Sequence, residues 1–151
     1  MTETSAALDD HDFMRALLNL VIPPSPSGDL PGAGALGLSP FVVTGLQADP
    51  LLGPLVEAGA RAVREAALSE HPKGLAGMAP QAGTKVVEAQ LANHPLLIMG
   101  LLRYLYPAYY QHQRVLEGIG EPPRPLFPEG FDVEATDAKL LEKLQARRKA
   151  Y

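Results

Sequence analysis

The sequence predicts an all-α fold with about five helices in one domain, residues 1–151, and two long loops rich in proline and glycine. Apolar residues recur at helical spacing in several segments, whereas no run of alternating β-branched residues is long enough to propose a sheet. Stretches rich in proline and glycine separate these segments. A chain of 151 residues is also the size of one ordinary domain, so a single hydrophobic core is expected.

The first predicted helix spans about residues 9–22 and ends at Pro23. Its apolar side chains follow the spacing i, i+4, i+7, i+8 and form one stripe. Asp9 is expected to cap the free N–H groups at its start, where the helix dipole favours carboxylates. Because proline, glycine and serine then recur at short intervals, residues 23–49 are predicted to form a long ordered loop.

The remaining helices are delimited by the same signals. Pro50, preceded by Asp49, is suitable for the first turn of a helix. Pro107 lacks a backbone donor and is expected to kink a helix that otherwise extends toward Leu116. The predicted segments are helices over about 50–69, 83–92 and 95–116, a proline-rich arm over 118–133, and a C-terminal amphipathic helix over 135–149.

Composition excludes several classes of function. The chain is 46% hydrophobic and 20% charged, with 13 basic and 17 acidic residues, which is typical of a soluble globular protein and gives no basic surface for nucleic acid. It has no cysteine, so disulfides and thiolate chemistry are excluded. The most apolar segment, residues 96–110, is shorter than the roughly 20 residues of a membrane span. Without a visible export signal the expected location is cytoplasmic, or periplasmic if a leader was removed.

Gly32, Gly34 and Gly37 have the G-x-G-x-x-G spacing of a dinucleotide-binding turn. That motif needs a buried strand before it and a helix that starts at its last glycine. Here a helix precedes the glycines and Pro40 interrupts the stretch that follows them. We therefore predict a tight loop and no cofactor in this chain.

No pattern of catalytic or metal-ligating residues stands out. His11 lies among three aspartates, but consecutive helical positions point in different directions, so helix capping explains the acids better than a metal site. Glu57 is expected on a solvated helix face. No nucleophile or zinc-site spacing links the remaining histidines, which are His71, His94 and His112. The sequence predicts no catalytic residue and no metal ligand.

Two aromatic and apolar groups of residues need a surface to pack against. Four tyrosines around Pro107 either cover the core at a kinked helix or form a contact surface, and both can hold. They are Tyr104, Tyr106, Tyr109 and Tyr110. The proline-rich arm carries side chains too apolar for a freely solvated loop. These are Leu126, Phe127, Pro128 and Phe131.

Two stretches resemble the gluconate 2-dehydrogenase subunit 3 family. One is "LLNLVIPPSPSGDLPGAGALG", in which Ile-Pro is followed by Pro-Gly-Ala. The other is the tyrosine-rich helix with "VLEGIGEPPRPLFPEGFDVEATDAKLLEKLQARRKAY", which carries Tyr-Tyr, Ile-Gly, Pro-x-Gly and a terminal Arg-x-x-Tyr. Together they cover roughly half of the chain. The chain lacks the twin-arginine leader that many members of the family carry.

The resemblance implies a small, helical, non-catalytic subunit that binds and stabilises a large dehydrogenase of the glucose-methanol-choline type. FAD is then expected in the partner subunit, a haem protein is a possible electron acceptor, and the substrate is a sugar or an alcohol. Proline pre-orders the loop and the arm and lowers the entropy cost of docking them. The expected partner-binding residues are Leu30, Pro31, Gly32, Tyr106, Tyr109, Tyr110, Leu126, Phe127, Pro128 and Phe131.

Two other functions remain open from the sequence. The chain could be a self-associating helical module or a carrier of a small ligand. It could also be a stand-alone helical enzyme that uses His94, His112 or one of the tyrosines.

Overall fold

A computed structural model describes residues 7–122 of the chain. The described residues form α-helices and short 3-10 helices without any strand, which confirms the all-α prediction. The α-helices are α1 (His11–Val21), α2 (Ser39–Gln47), α3 (Leu52–Glu70), α4 (Pro80–Leu91), α5 (Leu97–Tyr110) and α6 (Gln113–Gly118). The 3-10 helices are Ala7–Asp9, Ala33–Leu36 and Gly74–Gly77.

Helix α5 lies at the centre of the packing, against α2 on one side and α3 on the other. A Cβ at Gly100 would overlap the side chain of Val56, and one at Gly59 would press on Leu97, so α3 and α5 run antiparallel at close range. Helix α4 packs on α3, while α1 packs on the 3-10 helices Ala33–Leu36 and Gly74–Gly77. The largest fully buried side chains are Met14, Leu17, Leu18, Leu46, Leu97, Leu101 and Leu105, with four valines.

The prediction of one long loop over residues 23–49 is wrong in its second half, which contains α2. Pro40 lies in the first turn of that helix, where its missing N–H has no intrahelical partner to lose and its fixed φ suits the helix. The proline therefore begins a helix rather than interrupting one. Residues 23–32 do form a loop, which two hydrogen bonds close. The Ser25 amide donates to the Leu30 carbonyl oxygen, and the Leu30 amide donates to the Ser25 hydroxyl oxygen.

Helices α3 and α4 lie close to the predicted bounds, but the cap of α1 differs from the prediction. Asp10, rather than Asp9, is the N-cap of α1, and its Oδ1 accepts a hydrogen bond from the Phe13 amide at 3.0 Å. Its Oδ2 accepts a second bond from Arg64 Nε at 2.9 Å, which ties the start of α1 to α3.

The predicted helix over 95–116 is divided into two. Helix α5 passes through Pro107 and ends at Tyr110. His112 then adopts an extended conformation as the N-cap of α6, and its Nδ1 accepts a hydrogen bond from the Arg114 amide. The predicted helix is therefore interrupted at His112, whose side chain binds the Arg114 amide, and not at Pro107.

The arm over 118–133, apart from its first five residues, and the helix predicted over 135–149 lie outside the described residues. Within residues 7–122, no helix combines the length and the apolar character needed to cross a membrane.

Candidate protein-binding surface

Helix α5 carries exposed, mostly apolar side chains along the side that faces away from the core. They recur at intervals of three and four residues, which places them on one face of the helix. We call this surface the α5 stripe, and its members are Leu96, Met99, Arg103, Tyr106 and Tyr110. Met99 is 67% exposed and Tyr110 52%. The opposite face of α5 contains Leu97, Leu101 and Leu105, none of which is exposed.

The α5 stripe departs from the usual pattern of a surface helix, in which polar residues occupy the outer face. Single exposed apolar side chains are common, but a contiguous row marks an interaction surface. Phe41, on the adjacent helix α2, adds a further exposed aromatic ring. Among the described residues, helix α5 therefore buries one apolar face in the core and leaves a second one exposed.

The structure divides the four tyrosines into an inward pair and an outward pair. The hydroxyl of Tyr104 donates to Asp49 Oδ2 at 2.9 Å, and that of Tyr109 donates to the Pro31 carbonyl oxygen at 2.9 Å. Tyr106 and Tyr110 point outward with their ring centroids 5.9 Å apart. The packing role thus applies to Tyr104 and Tyr109, while the contact role of Tyr106 and Tyr110 stays a prediction.

The assignment of Tyr109 to the contact surface is corrected by its position. Its side chain is only 2% exposed, because it fills the space between α5 and the 23–32 loop. It still contributes to the surface indirectly: its ring meets the Tyr110 ring edge-on, with centroids 5.2 Å apart. Such aromatic pairs are worth about 0.5–1.5 kcal/mol beyond burial, so Tyr110 is held in position before any partner arrives.

Arg103 is the only charged residue on α5 and lies midway along the α5 stripe. Its guanidinium carbon lies 5.9 Å from the centroid of the Tyr104 ring, within reach of a cation–π interaction. Helix α2 contains no charged residue, so neither α2 nor α5 carries a carboxylate. The nearby carboxylate is that of Asp49, which follows α2 and bonds to Tyr104.

Asp49, at the turn between α2 and α3, accepts three hydrogen bonds. Its Oδ1 accepts from the amides of Leu51 and Leu52 at 3.1 and 2.8 Å, and Oδ2 accepts from Tyr104. The Leu52 amide is the largest cause that lowers the pKa of Asp49 below 3.8, followed by the Tyr104 hydroxyl, and the charge of Arg103 adds a smaller effect. Helix α3 begins at Leu52, two residues after the predicted start at Pro50, and Asp49 accepts from the amides at that start.

The expected contact loop over Leu30, Pro31 and Gly32 is largely part of the fold. Leu30 and Pro31 are half-buried, and Gly32 is buried. A Cβ at Gly118 would crowd Leu30, so the end of α6 lies on this loop. The loop has little side-chain surface to offer at these three positions and instead supports α5 through Tyr109.

The glycine motif has a packing explanation. A Cβ on Gly34 would overlap the Arg15 carbonyl oxygen, and one on Gly32 would overlap Asn19 Oδ1. The Gly34 amide donates to that same Asn19 oxygen at 2.9 Å, and Gly37 ends the 3-10 helix at a φ of 66°. The glycines let the 3-10 helix lie directly on α1 rather than approach a ligand.

The histidines and acids that could suggest chemistry have structural positions. His11 is exposed, and no group of three or more potential metal ligands occurs among residues 7–122. The Nδ1 of His71 accepts from the Lys73 amide in a turn. The prediction that Glu57 lies on a solvated face is wrong, because its carboxylate accepts from the Ala7 and Leu8 amides and so ties the chain start to α3.

Two surface cavities lie away from the α5 stripe. The larger, of about 400 Å³, lies between α1, α4 and the 3-10 helix Gly74–Gly77, and its polar lining includes Asp12, Arg15 and Asn19. The smaller, of about 260 Å³, lies beside Asp49 and Glu57. Because the oxygens of Asn19, Asp49 and Glu57 accept bonds from backbone amides, these groups maintain the fold.

Comparison of the chain with protein-family models, with curated proteins and with solved structures finds no match. The surface is therefore argued from its own geometry. Sequence reasoning found Tyr106 and Tyr110 but missed Leu96, Met99 and Arg103. The spacing of three and four residues between these positions and the tyrosines indicates a common helix face. However, the segment is apolar on nearly every side, a pattern that predicts a fully buried helix. The arm residues Leu126, Phe127, Pro128 and Phe131 lie outside the described residues.

Proposed function

We propose that this chain is the non-catalytic small subunit of a flavin-dependent dehydrogenase, and that it binds and stabilises a large FAD-containing subunit of the glucose-methanol-choline type. The observation that supports a binding role is the α5 stripe, an exposed apolar row on a helix whose other face is in the core. The resemblance of the two sequence stretches to the gluconate 2-dehydrogenase subunit 3 family supports the kind of partner. In this proposal FAD and the reacting groups belong to the partner.

The composition of the α5 stripe suits a protein interface. Tyrosine, methionine and arginine are the residue types enriched at the centres of interfaces, while lysine and glutamate are depleted there. Burying an apolar side chain of this size is worth about 1.5–3 kcal/mol when it is fully exposed beforehand. Since Met99, Tyr106 and Tyr110 are half to two-thirds exposed, each is expected to contribute about 1 kcal/mol or more to association.

The proposal is tested by co-expression. The gene of this chain is expected to lie beside a large flavoprotein reading frame, and an affinity tag on this chain is expected to retain that flavoprotein together with its yellow FAD absorbance. The variant Met99→Ser is expected to weaken retention several-fold, whereas Leu68→Ser, at a 47% exposed leucine of α3 outside the α5 stripe, serves as the matched control.

Three results would contradict the proposal. The first is a flavoprotein that is folded, active and not retained by this chain. The second is retention that Met99→Ser and Leu68→Ser affect equally. The third is light scattering that shows the isolated chain to be a stable dimer that Met99→Ser dissociates, because the α5 stripe would then serve self-association.

A further inference from the structure

Building on the proposed function, we propose that the α5 stripe receives a single amphipathic helix of the partner, and that this helix places a carboxylate opposite Arg103. The inference concerns the partner's chemistry and docking mode. It follows from the spacing of the exposed residues, from the position of the charge among them and from the absence of acids on α2 and α5.

The spacing of the α5 stripe is that of a coiled-coil seam. Positions 96, 99, 103, 106 and 110 alternate by three and four residues, an average of 3.5, which is the repeat that keeps a narrow seam facing a second helix. Leu96, Arg103 and Tyr110 occupy one core position of this repeat, and Met99 and Tyr106 the other. At 1.5 Å per residue the seam is about 21 Å long, which matches a partner helix of about four turns. Helices that interlock through such rows cross at about 20°.

Arg103 decides the chemistry of the partner helix. A docked helix would cover its guanidinium, and a buried charge without a counter-charge is strongly unfavourable. Asp49, the nearby acid that the guanidinium influences, already accepts three hydrogen bonds. Among residues 7–122 no carboxylate lies within ion-pair distance of Arg103. A carboxylate on the incoming helix would supply that direct contact. A planar guanidinium pairs best with a carboxylate, which it can bind through two parallel hydrogen bonds.

A second copy of this chain fits the α5 stripe poorly. A symmetric dimer through the α5 stripe would bring the two Arg103 guanidinium groups toward each other, and neither α2 nor α5 carries an acid to separate them. A single polar residue at a core position is a known means of selecting one partner and one register at some cost in stability. Arg103 has that position in the α5 stripe and would select a different, acidic helix.

A pair of synthetic helices tests the charge preference without the flavoprotein. Two amphipathic peptides of about three heptads share leucine and alanine at their core positions and differ only at the central one, which is glutamate or lysine. We expect the glutamate peptide to bind the full chain at least about tenfold more tightly in fluorescence anisotropy. Arg103→Glu should reverse the preference, while Arg61→Glu, at an exposed arginine of α3, should leave it unchanged. Equal affinity of both peptides, or no binding of either, would overturn the inference.

A zero-length cross-link tests it in the complex. A carbodiimide joins an amine to a carboxylate in contact with it, and arginine does not react. The variant Arg103→Lys is therefore expected to give a new cross-link, absent in the wild-type complex, to an aspartate or glutamate on a helix of the flavoprotein. A new cross-link to Asp137 or Glu142 of the same chain would overturn the inference, because a C-terminal segment of this chain would then be the occupant.

The two proposals fail in different ways. If Arg103→Glu retains the flavoprotein as well as the wild-type chain does, the helix and its carboxylate are wrong while the accessory role stands. If the flavoprotein is not retained at all but the peptides show the expected preference, the accessory role is wrong while the chemistry of the α5 stripe stands.

Discussion

Replacing Tyr109 by phenylalanine tests how α5 is joined to the loop beside it. The change removes the hydroxyl that donates to the Pro31 carbonyl oxygen at 2.9 Å and keeps the ring in the core. Loss of one partner costs about 1–3 kcal/mol when the remaining group is buried. Because Pro31 is half-buried, so that water reaches its carbonyl in part, we expect Tyr109→Phe to lower the free energy of unfolding by about 1–1.5 kcal/mol.

Urea unfolding at neutral pH, followed by far-ultraviolet circular dichroism, measures this difference. With a slope of roughly 1–3 kcal/mol per molar urea, the midpoint should fall by about 0.3–1.5 M while the slope stays the same. Tyr106→Phe is the control, since Tyr106 is 47% exposed and such surface changes stay within about 0.5 kcal/mol.

The pH dependence of Tyr109 gives a second measurement on the same variant. Burial raises the pKa of Tyr109 above 10.0, and the neighbouring Tyr110 adds to the shift. The unfolded chain therefore loses this proton at lower pH than the folded chain does. The resulting stabilisation is complete below pH 10 and is lost as the pH rises through the folded pKa. Tyr109→Phe should flatten this alkaline decline. A variant as stable as the wild-type chain at neutral pH, with the same alkaline decline, would refute the role assigned to this bond.

Three further substitutions test other contacts that hold the helices together. Asp49→Asn should lower the melting temperature at neutral pH, and the difference should shrink as the pH falls below 3.8, because the lowered pKa of Asp49 stabilises the fold only while the carboxylate is ionised. Gly34→Ala should cost about 1–3 kcal/mol in urea unfolding, since the new Cβ overlaps the Arg15 carbonyl oxygen. Asp10→Ala should cost about 1–2 kcal/mol through loss of the N-cap, and more than Arg64→Met, which breaks only the partly exposed ion pair; equal costs would argue against the cap.

The sequence predicts those features of the fold that depend only on neighbouring residues. The helix starting near Asp49 could be predicted because a short carboxylate followed by proline caps a helix in most contexts. The class of fold could be predicted because helical spacing appears in segments of 10 to 20 residues. These signals are local, so they do not depend on knowing which segments meet.

The errors arose where a local signal has two outcomes. Pro40 interrupts the glycine-rich stretch in the sequence, but proline is equally suited to the first turn of a helix, where the structure places it. The sequence around Glu57 predicts a solvated side chain, because nothing in its own helix shows that the amides of Ala7 and Leu8 come to lie against it. A bond between residues 50 positions apart has no local signature, so a single sequence does not reveal it.

The exposed face of α5 also depends on contacts between distant segments, which the sequence does not reveal. Helix α5 is apolar on nearly every side, and such a helix is read as buried all round. Within residues 7–122 the main neighbours of α5 are α2 and α3, with further contacts to α6 and the 3-10 helix Ala33–Leu36, and together they cover only part of its circumference. The remaining face exposes the α5 stripe.

This geometry explains why the single charge of α5 stands where it does. A helix with a second apolar face and no charge would associate with any hydrophobic surface, including that of another copy of the chain. In the proposed complex, Arg103 in the middle of that face makes burial against an uncharged surface costly and favours a partner that carries a carboxylate. Tyr104, which lies under the guanidinium and is itself bonded to Asp49, limits the movement of the arginine before a partner binds. In this proposal the guanidinium of Arg103 provides the specificity of binding, and the apolar side chains on either side of it provide the affinity.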